Sequence, residues 1–336
     1  MKKVITVALS AMLAAASLAG CSSSSSGSTA SSSSKKTYKV TIVKQLDHAS
    51  LDQIADAITD ELDALAKKNN VTIDYGEVQS GQNDQTTIKQ ITDGAVTDGV
   101  DAIVPIATLA AQTAVVSAED SDIPVVYAAV SDPEAAKLTG LKNVTGTSDA
   151  LNTKQIIDMM FSVNPNIKNV GLLYSKSETN STKAIEEAKE YLKEKGIDNP
   201  PEATGNTNDE VLTAVSSLIS DHVDAVFTPT DNVVMAAAGA VSQELTEAGI
   251  PFYAGADSFV TSGAFATCGV NYDDLGKKTA DLVYQVMTEG FKDVDDYYTM
   301  DGGIVTVNTD TAKALGIDYS SFSDFGKVVE VTTSEN

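Results

Sequence analysis

From Tyr38 onward the chain alternates short apolar runs with stretches of helical periodicity. Tyr38-Lys39-Val40-Thr41-Ile42-Val43 reads as a strand. Leu51, Ile54, Ala55, Ile58, Leu62, Leu65 and Ala66 then recur at helical spacing. Val71 to Tyr75 predicts a second strand and Asn83 to Thr97 a second helix. Asp101 to Pro105 is a third strand, followed by a helix near Leu109 to Ala118, and Ile123 to Ala128 is a fourth. This is the rhythm of a parallel sheet covered by helices.

The rhythm then restarts. Lys168 to Tyr174 predicts a strand, and Thr182 to Lys195 an amphipathic helix through Ile185, Ala188 and Leu192. A helix with Val211, Leu212, Val215, Leu218 and Ile219 leads into a strand at Val223 to Phe227, and another helix leads into Ile250 to Tyr253. Val100-Asp101-Ala102-Ile103-Val104-Pro105 matches Val223-Asp224-Ala225-Val226-Phe227-Thr228, and Ile123-Pro124-Val125-Val126-Tyr127 matches Ile250-Pro251-Phe252-Tyr253. Buried parallel strands are all short Val/Ile runs, so one match means little; two in the same order at nearly equal offset mean more. The expected fold class is α/β, with two doubly wound parallel-sheet lobes and a ligand cleft between them. Residues 37–146 plus 271–296 are assigned to lobe 1, and 147–270 plus 297–336 to lobe 2.

The start of the chain has a different character. Met1-Lys2-Lys3 is a positive n-region, Val4 to Leu18 is apolar but too short for a span, and Leu18-Ala19-Gly20-Cys21 closes it. Residues 1–20 read as an export signal, and 21–36 as a serine-rich tether with little to bury.

Composition narrows the class. The formal charge is −24, all 23 basic residues are lysines, and tryptophan is absent. Such an acidic chain is a poor candidate for nucleic acid or for an anionic membrane surface. Besides Cys21 the only cysteine is Cys268, which argues against an internal disulfide and a zinc cluster. His48 and His222 are far apart and make a weak metal or catalytic case. No metal or other cofactor is expected.

In open parallel sheets ligands bind beyond the carboxyl ends of the strands. Those loops are polar: Gln45-Leu46-Asp47-His48, Ile106-Ala107-Thr108 and Val130-Ser131-Asp132-Pro133 in the first half, and Tyr174-Ser175 with Asn180-Ser181, Thr230-Asp231-Asn232 and Gly255-Ala256-Asp257-Ser258 in the second.

Asp132-Pro133 after its strand, Asn143-Val144-Thr145-Gly146, Pro229-Thr230-Asp231-Asn232 and Gly269-Val270-Asn271-Tyr272-Asp273-Asp274-Leu275-Gly276 occur in that order. Together they resemble the ABC-transporter substrate-binding protein family that includes tryptophan- and tyrosine-binding lipoproteins, over about Tyr38 to Tyr319. The resemblance implies a type I periplasmic-binding-protein-like fold with three crossings between lobes. It also implies no catalysis, and delivery of a captured solute to a membrane permease and, through it, an ATPase. The Leu-Ala-Gly-Cys end resembles a lipoprotein signal, which implies lipid on Cys21 and an extracytoplasmic, membrane-anchored protein.

An aromatic amino acid (Trp, Tyr or Phe) is the expected ligand; a sugar or nucleoside, or an adhesin or sensor role of the same fold, are the alternatives. A zwitterion needs donors for its carboxylate and acceptors for its ammonium. Without arginine, helix N-termini and hydroxyls must supply the donors. Thr108, Asn180 and Ser181 suit this, and equally suit helix capping. Asp132, Asp231 and Asp257 are candidates for the ammonium, although Asp132 also fits a turn and Asp231 a cap. Gln45, Ser131, Tyr174, Thr230, Asn232 and Tyr272 complete the candidate set. Enzyme readings find no support: no G-x-S-x-G elbow occurs, and Gly276-Lys277-Lys278-Thr279 lacks the spacing of a phosphate loop.

Overall fold

The computed structural model describes residues 35–334. Cys21, the export signal and most of the serine-rich tether lie outside them. The first half runs β1 (Thr37–Lys44), α1 (Ala49–Asn69), β2 (Thr72–Asp74), β3 (Gln79–Ser80), α2 (Gln85–Asp98), β4 (Ala102–Ile106), α3 (Thr108–Ala118), β5 (Val125–Tyr127) and β6 (Val144–Ser148). The second runs α4 (Thr153–Val163), β7 (Val170–Tyr174), α5 (Thr179–Glu194), β8 (Glu202–Thr204), α6 (Asn208–Ser220), β9 (Ala225–Phe227), α7 (Asn232–Ala236), α8 (Ala238–Glu247), β10 (Phe252–Tyr253), α9 (Asp257–Thr261) and β11 (Ala266–Gly269). The chain ends with α10 (Tyr272–Glu289), β12 (Tyr298–Thr299), β13 (Ile304–Asn308), α11 (Thr309–Leu315) and β14 (Lys327–Val331).

Two sheets result. The first has the order β12-β6-β5-β4-β1-β2, with β3 beside the end of β1. The second has the order β14-β13-β11-β10-β9-β7-β8. All pairings are parallel except β13 with β11. The central strands are buried from end to end, as β4 is from Ala102 to Ile106, because helices cover both faces. The internal matches fall on equivalent strands: β4 and β9 are third from one edge of their sheets, and β5 and β10 fourth.

Each long helix buries one stripe. On α1 it is Leu51, Ile54, Ala55, Ile58, Leu62 and Leu65, and the helix stops at Asn70 in the left-handed region (φ 54°). After β11 in the second sheet the chain returns, and α10 lies against α1 of the first. A Cβ built on Gly276 would sit 2.6 Å from the Ala57 Cβ and 2.9 Å from the Ile54 carbonyl. Only a glycine lets the two helices approach so closely. β12 then pairs with β6 before β13 joins the second sheet. The chain therefore passes between the sheets three times: after β6, after β11 and after β12.

Candidate functional site

The carboxyl ends of both sheets face one small cavity of about 20 Å³, room for about one water. The lobes meet across it. His48 Nε2 lies 3.0 Å from Asn232 Oδ1, Gln45 Nε2 donates to Glu178 at 2.8 Å, and the Ser131 and Thr230 hydroxyls are 3.0 Å apart. Ser50 and Ser258 share a further hydrogen bond, and at the rim Lys183 pairs with Asp132 at 3.3 Å. This is the closed arrangement of the cleft.

Helix starts surround the cavity. Most helices here carry a side-chain cap: His48 on α1, Asp84 on α2, Asn152 on α4, Thr207 on α6, Asp231 on α7, Asn271 on α10 and Asn308 on α11. Helices α3, α5, α8 and α9 do not. The N-cap of α3 is Ala107, held at φ 78°, and across the wall Ala129 is held at φ 55°. Both alanines line the cavity. Non-glycine residues with positive φ are costly, about 1–3 kcal/mol each, and persist where surrounding structure enforces them. Gln45 Oε1 accepts the Leu109 N–H at 3.1 Å, and the rest of the α3 start, with the positive end of its dipole, suits an anion.

Acceptors stand on the same walls. Asp149 follows β6 and is fully buried, which raises its carboxyl above the usual range. It accepts from the Ser131 hydroxyl at 2.9 Å and the Tyr272 hydroxyl at 3.1 Å, both neutral donors. Ser131 in turn takes its hydrogen from Thr230, so a chain of hydroxyls crosses the cleft to Asp149. Leu51, Met235, Phe259 and Tyr272 supply the apolar part of the lining.

Of the residues expected from sequence, Thr108, Ser131, Asn180, Thr230, Asp231, Asn232 and Tyr272 line the cavity. Asp231 does so with both oxygens engaged. Oδ1 accepts from the Val233 and Val234 N–H groups, and Oδ2 from the Ser175 N–H and the Ser181 hydroxyl, at 2.7 to 3.1 Å. It caps α7 and ties β7 and α5 to it. Ser181 thus serves Asp231, and Asn180 donates to the Thr230 carbonyl at 2.9 Å. Gln45, Asp132, Tyr174, Ser181 and Asp257 stand back from the lining. Gln45 is buried behind it, Asp132 caps a turn at the rim through the Ala135 N–H, and Tyr174 donates to Glu202 at the outer edge. Asp257, in the first turn of α9, is pushed up to about 6 by burial.

Sequence reasoning missed Asp149, Phe259 and His48 as lining residues, and it missed Glu178 behind them. Asp149 and Glu178 both follow strands, at positions where the strand-end rule applies; what hid them was the polar character of β6 and the length of the loop after β7.

A family model described as ABC transporter substrate binding protein matches residues 39–322. The chain is 34% identical over 340 residues to a tyrosine-binding protein of Clostridioides difficile, covering 95% of this chain and 94% of that protein. Among solved structures it is similar to a domain from Streptococcus pneumoniae in complex with L-Trp, at 29% identity and TM-score 0.78. It is also similar to the ligand-free, open structure of a substrate-binding protein with adhesive properties from Clostridium difficile, at 32% identity and TM-score 0.65. Each comparison covers 88% of this chain and 100% of the other. The backbone superposes better on the ligand-bound chain although the sequence is nearer to the open one, in keeping with the lobes being closed.

Proposed function

The chain belongs to the ABC transporter substrate-binding protein family, and we propose that it captures an aromatic amino acid outside the cytoplasm and presents it to its permease. The observation that carries this reading is the pairing of opposite polarities across one cavity. On one side is the start of α3, whose N-cap Ala107 offers no side-chain acceptor; on the other is Asp149, a buried carboxyl with neutral partners only. A zwitterion satisfies both. Its carboxylate takes the Thr108 hydroxyl and the N–H groups at the start of α3 that Gln45 leaves free. Its ammonium takes Asp149, whose charge is then compensated in a dry site. Phe259, Tyr272, Leu51 and Met235 offer an aromatic and aliphatic wall for the side chain. The tyrosine-binding relative and the Trp-bound neighbour support the same ligand class.

The protein is held at the membrane by lipid on Cys21, behind the Leu18-Ala19-Gly20 end of its signal and ahead of a serine-rich tether. Titration calorimetry tests the ligand. At least one of tyrosine, tryptophan and phenylalanine should bind at micromolar or better affinity, about −8 kcal/mol. Binding of a sugar or nucleoside, and of none of these three, overturns the assignment.

A further inference from the structure

Strands β7, β9 and β10 run parallel, so their amino ends lie together at the end of the second sheet opposite the cleft. A larger pocket opens there, of about 550 Å³, within the range of small-molecule sites. Its wall is apolar. Met160 comes from α4, Ile167 precedes β7, Val223 and Ile250 precede β9 and β10, and Leu315 and Ile317 stand where α11 stops. Tyr253 of β10 also lines it, with a side chain that is fully buried.

The Tyr253 hydroxyl has no hydrogen-bond partner among the described residues. Its ring is held edge-on to Phe265, 5.3 Å between centres. Two other deep tyrosines do have partners: Tyr127 donates to the Asp296 carbonyl at 3.5 Å, and Tyr272 to the Asp149 carboxyl at 3.1 Å. The main chain around Tyr253 is spent on the sheet. The Pro251, Phe252 and Tyr253 carbonyls accept from the Val226, Phe265 and Thr228 N–H groups, and Pro251 has no N–H to give. Polar groups at the mouth are engaged as well. Asp224 Oδ2 accepts from the Lys168 and Asn169 N–H groups, and Asn164 Oδ1 from the Asn166 N–H. A phenylalanine would pack against Phe265 as a tyrosine does and leave nothing unpaired. A buried hydroxyl without a partner is a cost, and in the lining of a pocket it points to an occupant that supplies the acceptor.

We propose that this pocket is a second ligand site, for a small uncharged molecule with an apolar body and one carbonyl-type acceptor, to which the Tyr253 hydroxyl donates. The apolar wall takes the body. Among the described residues no lysine lines the pocket, and the chain carries −24, so an anion finds no counter-charge. A cation would have Asp224 alone, which is exposed at the mouth and already accepts from two N–H groups. An uncharged ligand is what the lining suits. The site is separated from the cleft by the length of the second sheet, and it is independent of what the cleft binds.

Acetophenone is the probe, and ethylbenzene, which has two hydrogens in place of the carbonyl oxygen, is its control. Both are titrated into the native protein labelled at its methionine and isoleucine methyls, and read by NMR. Acetophenone should shift the signals of Met160, Ile167, Ile250 and Ile317 and leave that of Met235, in the cleft, in place. Tyr253→Phe should melt no lower than the native protein, because it removes an unpaired group. It should reduce the ratio of acetophenone to ethylbenzene affinity by about fivefold, the net worth of one neutral hydrogen bond. An unchanged ratio overturns the proposal, since the hydroxyl then receives nothing from the ligand. Shifts at Met235 without shifts at Met160, or no shift at millimolar acetophenone, overturn it too. Should Tyr253→Phe fail to fold, Leu315→Trp fills the pocket from a half-buried wall position. The Met160 and Ile167 shifts should then vanish, and their persistence sinks the site.

Discussion

Single carboxyls separate binding from scaffolding in this protein. Asp149 has two neutral donors and an outlook onto the cavity, whereas Asp231 has four donors and caps α7. The two should respond differently to mutation. Asp149→Asn keeps the shape of the site but loses the charge and one of its two acceptor oxygens, so one of the two hydroxyls must turn to accept. Affinity for an amino-acid ligand should fall at least about tenfold, or about 1.4 kcal/mol, with little change in melting temperature. Asp231→Ala leaves two N–H groups at a helix start, a third on Ser175 and the Ser181 hydroxyl without their acceptor. It should cost about 2–4 kcal/mol of stability, read by denaturant unfolding. Loss of binding in Asp231→Ala at undiminished stability would reverse the two roles. The sequence made Asp231 legible as an acid near the cleft, because it follows an apolar strand. Which of two roles it plays was not legible, since a cap and a ligand contact use the same residue at the same place. Asp149 was hidden because the strand before it, Val-Thr-Gly-Thr-Ser, is buried without being apolar.

Whole elements were legible where they are long or uniformly apolar. The stripes of α1 and α5 and the runs at β4, β7 and β9 are visible because burial on one stripe or on both faces leaves a periodic or continuous pattern. Helices α7 and α9 have five residues each, too few to display a helical period. Phe259 went unnoticed for this reason: it sits on α9, against Phe252 at 6.2 Å between ring centres, and reaches the cavity from an element with no signature. The pairing of α1 with α10 is likewise invisible in either pattern alone, because it is set by one small residue. Gly276→Ala places a methyl within 2.6 Å of Ala57 Cβ and 2.9 Å of a carbonyl. The backbone there cannot yield without moving the helices apart, so the substitution should cost about 1–3 kcal/mol. Pairing it with Ala57→Gly should restore part of that loss. A melting temperature unchanged in Gly276→Ala would mean that the two helices are not held at this distance.

The molecule as a whole consists of two similar sheets crossed three times by the chain, with a cleft whose closure depends on contacts far apart in sequence. The repeated strands at β4 with β9 and β5 with β10 made the doubled fold legible. The closed state was not, because Gln45 and Glu178 are 133 positions apart and neither belongs to a motif. At this scale the net charge also matters. A formal charge of −24 repels the protein from an anionic membrane, and no helix among the described residues is long and apolar enough to cross one. The proposed anchor at Cys21 must then supply the whole attraction, through acyl chains whose hold is hydrophobic and insensitive to salt. The native protein should stay with membranes in a high-salt wash and leave them in detergent. Cys21→Ala should appear in the soluble fraction or remain unprocessed, without a lipid adduct by mass spectrometry. If the native protein carries no lipid and Cys21→Ala is retained as firmly as before, the attachment lies elsewhere on the chain, and the serine-rich segment after Cys21 loses its reading as a tether.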